Sequence, residues 1–307
     1  MLGNKVSVWF ASLLVVGSLA TMSFDAASAF AADPPPRGAE DWFRDGVRQL
    51  GDGKLDESVA SFQQCVELKP DLKECWFNLG VAYGRKRAFA QEARAYAEAV
   101  RLDPKYGRAH FNLAVVYEDL GQTDKALEHY SKALEAEPTA QDARLNRAML
   151  LMKSNRVDEA IADFEAAVKD KPDNAEAYFD LAGAYEVRAD KLAEPQRTQG
   201  LRKAVETYYK CLELDGSHHR AWYNIGVASQ RLQDVDSEIN AYRKAIDLKS
   251  DYTPALYNLA FALRDKGDKP AAIAAFERYI ALVGDSKAEA RFRAAAEAEL
   301  TRLRASK

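Results

Sequence analysis

The sequence predicts an all-α fold, a solenoid of stacked helix-turn-helix repeats closed by a C-terminal helix. Three observations carry that prediction. Residue types recur from starts at Ala39, Lys73, Gly107, Gln141, Ala175, His219 and Thr253, 34 residues apart except for one interval of 44. Large and small side chains return at fixed positions inside each interval, and no stretch alternates apolar and polar residues with the period of a strand. With 48% hydrophobic and 29% charged residues in 307, the chain is apolar enough to fold. A net charge of -4, from 43 basic and 47 acidic side chains, removes general electrostatic attraction to nucleic acid or anionic membranes. Three Cys and four His, none in a Cys-x-x-Cys or His-x-x-x-His pair, leave little for a zinc site or a heme, so no metal and no cofactor is expected.

The first element, residues 1–31, reads as a secretory signal peptide. Lys5 supplies the charged end, Val6 to Leu19 the apolar core, and Ala26-Ala27-Ser28-Ala29-Phe30-Ala31 the small residues of a cleavage site after Ala29 or Ala31. Thr21, Ser23 and Asp25 cut the apolar run short of the roughly 20 residues that span a bilayer. The first Cys is Cys65, so a lipoprotein attachment is not expected. Export to a periplasm, or alternatively to the extracellular medium, follows. Residues 32–38, containing Pro34-Pro35-Pro36, form an extended linker that cannot enter a helix.

The repeats occupy 39–286. Position four holds Trp42, Trp76, His110, Arg144, Tyr178, Trp222 and Leu256; position eight holds Gly46, Gly80, Ala114, Ala148, Ala182, Gly226 and Ala260. On the second helix a ring recurs at Phe62, Tyr96, Tyr130, Phe164, Tyr208, Tyr242 and Phe276. Three residues later come Cys65, Ala99, Ala133, Ala167, Cys211, Ala245 and Tyr279. Small residues let two helices approach while the ring fills the space beside them, and Pro70, Pro104, Pro138, Pro172, Gly216, Ser250 or Gly284 ends each unit. A 34-residue helix-turn-helix unit with these slots resembles the tetratricopeptide repeat. Arg144 and Leu256 depart from its aromatic preference at position four. The resemblance implies a right-handed superhelix of seven repeats whose first helices line a concave face. Residues 287–307 read as a capping helix, Ala288 to Arg304, and a tail, from their Ala-, Glu- and Arg-rich composition.

The fifth interval carries ten extra residues near 189–200, interrupted by Pro195 and Gly200. It reads as a tolerated surface insertion or an extra turn on each helix, with a partner-contacting edge as the alternative. Cys65, near the end of one helix, and Cys75, near the start of the next, come to comparable height in antiparallel neighbours, so a disulfide between them is a candidate in an oxidising compartment. No nucleophile, phosphate-loop or metalloprotease motif is present, His110 reads as a packed residue, His129 lies on a second helix and His218-His219 reads as a solvated polar turn, so no catalytic site is expected.

The functional signal is at position six: Arg44, Asn78, Asn112, Asn146, Asp180, Asn224 and Asn258. One amide per repeat makes a ladder along the inner groove. Each amide can donate to and accept from the backbone of an extended peptide without reading its sequence. The ladder resembles the one in the repeat region of the transferase that adds N-acetylglucosamine to Ser and Thr, and the cargo grooves of kinesin light chains. Beside it, Phe77, Phe111, Tyr223 and Tyr257 at position five offer an apolar floor. The bland alternatives are that the amides support helix packing and that the rings serve the core. Family members that clamp the C-terminal carboxylate of chaperones present Lys and Asn at positions five and nine, which are mostly aromatic and aliphatic here. The expected partner is therefore a protein, held as an extended segment of an envelope, secretion or motility assembly. The alternative is a glycan or peptidoglycan strand in the same groove, weakened because Trp42, Trp76 and Trp222 fall in the packing slot.

Overall fold

The computed structural model describes residues 37–305. The segment read as a signal peptide and all of the linker but Arg37 and Gly38 lie outside the described residues. The chain divides into two compact units, one ending at Leu150 and the other beginning at Leu151. The first contains α1 (Ala39–Gly51), α2 (Leu55–Leu68), α3 (Lys73–Arg85), α4 (Phe89–Leu102), α5 (Gly107–Asp119) and α6 (Thr123–Ala136), each packed on the next. Helix α7 (Gln141–Lys153) crosses the boundary in sequence. The second unit contains α8 (Val157–Asp170), α9 (Ala175–Asp190), α10 (Gln196–Leu214), α11 (His219–Arg231), α12 (Val235–Leu248), α13 (Thr253–Lys266), α14 (Lys269–Val283) and α15 (Ala290–Ala305), again packed in chain order. Among the described residues there is no strand, and no helix is long and apolar enough to cross a membrane.

Local chemistry explains where the helices stop. The turn inside each pair is made at position fifteen by a residue with positive φ: Gly53, Arg87, Gly121, Asn155, Gln233 and Gly267, with φ from 58° to 85°. Glycine adopts this conformation without steric cost, and Asn with little. In the fifth interval position fifteen is Ala189, which stays helical and fully buried. Without a residue suited to the left-handed turn, α9 runs on to Asp190, and α10 starts early at Gln196. The ten extra residues thus lengthen both helices to 16 and 19 residues, against 13 and 14 in α3 and α4. Gly200 lets the two long helices close, since a Cβ there would lie 2.9 Å from that of Ala189.

Second helices end on an extended residue, Lys69, Asp103, Glu137 or Lys171, each followed by proline, which disfavours the α conformation in its predecessor. At Pro70, Pro104 and Pro138 the proline carbonyl then accepts a hydrogen bond from position four of the next repeat. Trp76 Nε1 donates to Pro70 at 2.9 Å, His110 Nε2 bonds Pro104 at 3.1 Å, and Arg144 donates to Pro138. The slot therefore selects an N–H donor as well as bulk, which accounts for Arg144 where the aromatic preference fails. With Nε2–H of His110 committed, its Nδ1 accepts from His129 Nδ1, 2.9 Å away. Burial first, then the neighbouring imidazole, lowers the His129 pKa to about 4, and the pair stays neutral.

The core repeats with the sequence. The seven second-helix rings, Phe62 through Phe276, are at most 2% exposed. Glycine at position eight is a steric requirement: a Cβ at Gly46, Gly80 or Gly226 would come within 2.7 Å of the ring of Phe62, Tyr96 or Tyr242. Cys65 on α2 and Cys75 on α3 are joined as a disulfide with Cα atoms 6.0 Å apart. Cys211 is a buried free thiol whose pKa burial pushes up to about 12. Helix α15 closes the second unit by burying Ala296 and Leu300 against the α13–α14 core, while its remaining faces carry Arg and Glu.

Candidate functional site: the amide ladder

Position six lies on the first helix of each pair, one residue after a ring and two before the small slot. Four of these side chains, Asn112, Asn146, Asn224 and Asn258, meet the second-helix ring of the preceding repeat. Where that ring is tyrosine, the amide bonds its hydroxyl. Asn112 Nδ2 donates to Tyr96 at 3.2 Å, Asn224 Nδ2 to Tyr208 at 2.9 Å, and Asn258 Nδ2 to both Tyr242 and Tyr223 at 3.3 Å. Asn146 bonds the Tyr130 hydroxyl. Where the ring is phenylalanine the pairing breaks. Asn78, which follows Phe62, turns back to the Glu74 carbonyl at 2.8 Å and is 5% exposed. Asp180 follows Phe164, and burial, then the Glu176 carboxylate, raises its pKa to about 7. The ladder is thus part of the packing between repeats, the role that the sequence left open beside peptide binding.

The tyrosine hydroxyls pass the hydrogen bond on. Tyr130 donates to Glu118 at 3.3 Å and Tyr208 to Glu186 at 2.7 Å, both carboxylates at position twelve of the first helix. Burial raises the Glu186 pKa against the opposing Tyr208 hydrogen bond and Arg231 charge. The position-five rings also serve the core. Phe77 stacks on Tyr96 at 5.6 Å, Phe111 on Tyr130 at 5.9 Å, Tyr223 on Tyr242 at 5.8 Å and Tyr257 on Tyr279 at 5.2 Å, in tilted or edge geometry.

In the first unit these elements enclose a groove of about 940 Å³. Phe77, Asn78, Phe111 and Asn112 line it together with Val81 and Val115 from position nine. Of the residues singled out from the sequence, these four are brought to one concavity. Asn146 is bound at Tyr130 instead, and Asp180, Asn224, Asn258, Tyr223 and Tyr257 belong to the second unit. Asn112, which lines the groove, uses one N–H on Tyr96, and its second N–H and its Oδ1 have no partner among the described residues. No group of three or more His, Cys, Asp or Glu among the described residues is arranged to hold a metal ion.

Sequence reasoning missed Glu92 and Glu238. Both sit at position twenty, where four other repeats hold Ala and one holds Ser. The signal was available: a carboxylate at an alanine slot, in two of the three repeats with Gly at position eight. Each has a pKa raised to about 7, by burial first and then by an aspartate 27 residues on, Asp119 for Glu92 and Asp265 for Glu238. Glu238 is 4% exposed, and its Oε1 is buried with no hydrogen bond. Its folded-state pKa lies above the ordinary 4.5, so the folded form holds the proton more tightly than the unfolded chain. The stability this confers is complete below about pH 4.5 and lost as pH rises towards 7. Glu238→Gln, which cannot ionise, is expected to melt above the natural protein at pH 8, the two curves converging below about pH 5. Thermal melts across that range check this, and an offset independent of pH would refute it.

Family models described as tetratricopeptide repeat match residues 43–106, 107–139, 145–194, 219–252 and 254–286. No curated protein matches the chain. Among solved structures, the C-terminal part of a repeat-containing protein from Cytophaga hutchinsonii is similar with a TM-score of 0.67 and 16% identity, over 81% of this chain and 98% of that one. YrrB is similar with a TM-score of 0.54 and 22% identity, over 64% of this chain and 95% of its own. MamA follows at 0.53 and 21%, over 58% and 92%. At these identities the likeness is one of fold, and it agrees with the periodic slots and the helix pairs. The chain belongs to the tetratricopeptide repeat family.

Proposed function

We propose that the chain is an exported, non-catalytic scaffold that holds extended segments of partner proteins, of an envelope, secretion or motility assembly, in the amide-lined groove of its first unit. The observation that carries the reading is Asn112. Its bond to Tyr96 holds the side chain and leaves one N–H and Oδ1 unused, on a residue that lines the groove with Phe111, Val81 and Val115. A preset donor and acceptor over an apolar floor suits a peptide backbone with alternating side chains. YrrB, one of the structural neighbours, is a repeat protein with a peptide-binding site. The exported setting is supported by the signal-like residues 1–31 and by a disulfide, which persists in oxidising compartments.

The test separates binding from packing. The chain from residue 32 is used to capture partners from an envelope extract, beside Asn112→Ala/Asn146→Ala and Tyr96→Phe/Tyr130→Phe. Both variants lose the Asn112–Tyr96 and Asn146–Tyr130 hydrogen bonds, the second also loses the Tyr130–Glu118 bond, and only the first loses the amides. A groove ligand is expected to weaken about tenfold with the alanine variant and to be held by the phenylalanine variant. Equal retention by all three proteins would overturn the groove reading.

A further inference from the structure

Within the groove of the first unit, Glu92 has no structural task. Glu118 and Glu186 each accept a tyrosine hydroxyl. Glu92, on α4, is 8% exposed, lines the groove, and has no hydrogen bond or ion pair among the described residues. Nor does any cation offset it: its carboxyl responds to burial and to Asp119, both of which disfavour ionisation. Arg85, on the same groove, directs its guanidinium at the Leu50 carbonyl, 2.6 Å away. A buried carboxyl without a partner is costly, and four sister repeats avoid the cost with alanine. The neighbouring helix makes room for it: a Cβ at Gly84 would lie 2.6 Å from Glu92 Oε1.

The geometry points to Glu92 as a subsite for the cationic group of a Lys or Arg side chain on the bound peptide segment. Val81, Val115 and Phe111, on the same groove, cover the aliphatic stem. The protein has already met the cost of removing this carboxyl from bulk water in the unbound state. An arriving ammonium or guanidinium finds an acceptor in a site of low dielectric, where pairing is stronger than at the surface. Glu238 and Asp265 repeat the spacing in the second unit, but there Gln230 hydrogen-bonds the carboxyl. This inference rests on the groove reading above and adds to it the charge of the occupant.

A phage-displayed library of random dodecapeptides, selected on the disulfide-intact chain from residue 32, tests it. Peptides retained by the natural protein are expected to be enriched several-fold in Lys and Arg, and the enrichment to fall to the library level on Glu92→Gln and Glu92→Ala. Both variants should melt at or above the natural protein, because each removes an unpaired buried carboxyl. A selected peptide whose Lys is replaced by norleucine should lose about tenfold on the natural protein and nothing on Glu92→Gln. Basic enrichment that survives in both variants overturns the subsite. Peptides retained without basic enrichment, and lost on Asn112→Ala, overturn the subsite and leave the groove reading standing. Failure to retain any peptide overturns both.

Discussion

Tyr208→Ala is expected to lower stability by about 4 kcal/mol, and Tyr208→Phe by about 1–3 kcal/mol. The tyrosine is fully buried, its ring lies 5.6 Å from that of Phe179, and its hydroxyl is the middle of a chain: Asn224 donates to it at 2.9 Å and it donates to Glu186 at 2.7 Å. Truncation to alanine opens a cavity between α9 and α10, whose spacing is already set by the close contact of Gly200 with Ala189. The surroundings can collapse only in part, so transfer and cavity losses add. The phenylalanine variant keeps the packing and removes one oxygen, which takes the Tyr208 hydroxyl from Glu186 Oε2 and from one Asn224 N–H while Arg231 stays on Glu186 Oε1. Urea and thermal melts followed by circular dichroism separate the two effects. A phenylalanine variant as stable as the natural protein would show that the chain of hydrogen bonds contributes nothing net. Because repeat arrays unfold by neighbouring units, the m-value should be recorded with the midpoint.

The periodicity was enough to place the helices, since every first helix from α1 to α13 begins at a residue where the pattern begins. What the slots do chemically was less legible. Arg144 looked like a loosened match and is a third kind of N–H donor to a proline carbonyl, a relation visible only once consecutive helices are seen to bring position four over the preceding turn. The longer fifth repeat reads in sequence as a surface insertion near Pro195 or an extra turn on each helix, and α9 and α10 show the second. Its cause lies earlier, at Ala189, and the clue was the absence there of a residue at ease with positive φ. Arg87 and Gln233 conceal that rule in sequence, because both adopt the left-handed turn without being residues that favour it.

The ladder shows the same limit at the candidate site. Position six is easily found in a repeat alignment, and so is the ring at position twenty-four, yet their correlation runs between repeats. Tyrosine is followed by a bonded asparagine in the next unit; Phe62 and Phe164 are followed by an inward-turned Asn78 and by Asp180. Reading each repeat against its sisters hides a pairing that crosses the repeat boundary. Glu92 was hidden for a related reason. A single carboxylate among 47 acidic residues is unremarkable until its slot is known to be buried.

Replacing Cys65 and Cys75 together by alanine is expected to cost about 3 kcal/mol, nearly all of it from the lost cross-link. The junctions between other repeats hold Ala99 with Ala109, Ala133 with Ala143 and Ala245 with Ala255 in the same two slots, all buried to 2% exposure or less. Alanine is therefore the ordinary packing of this junction and leaves no large cavity. What disappears is the closure of a loop with a sequence separation of 10, which in the chain-entropy account restores freedom to the unfolded state. In the natural protein, denatured without reductant, a thiol assay should find one reactive group, Cys211, of the three cysteines; three would refute the pairing. Both bonded cysteines are 0% exposed, so a reductant should act on the folded protein only as fast as α2 and α3 separate. Cys211 occupies the Cys65 slot opposite Ala221, and Ala221→Cys should therefore form a second cross-link between α10 and α11. A melting temperature raised in that variant and restored by reductant would show that the register, and not the local sequence around Pro70, is what makes the junction fit for a disulfide.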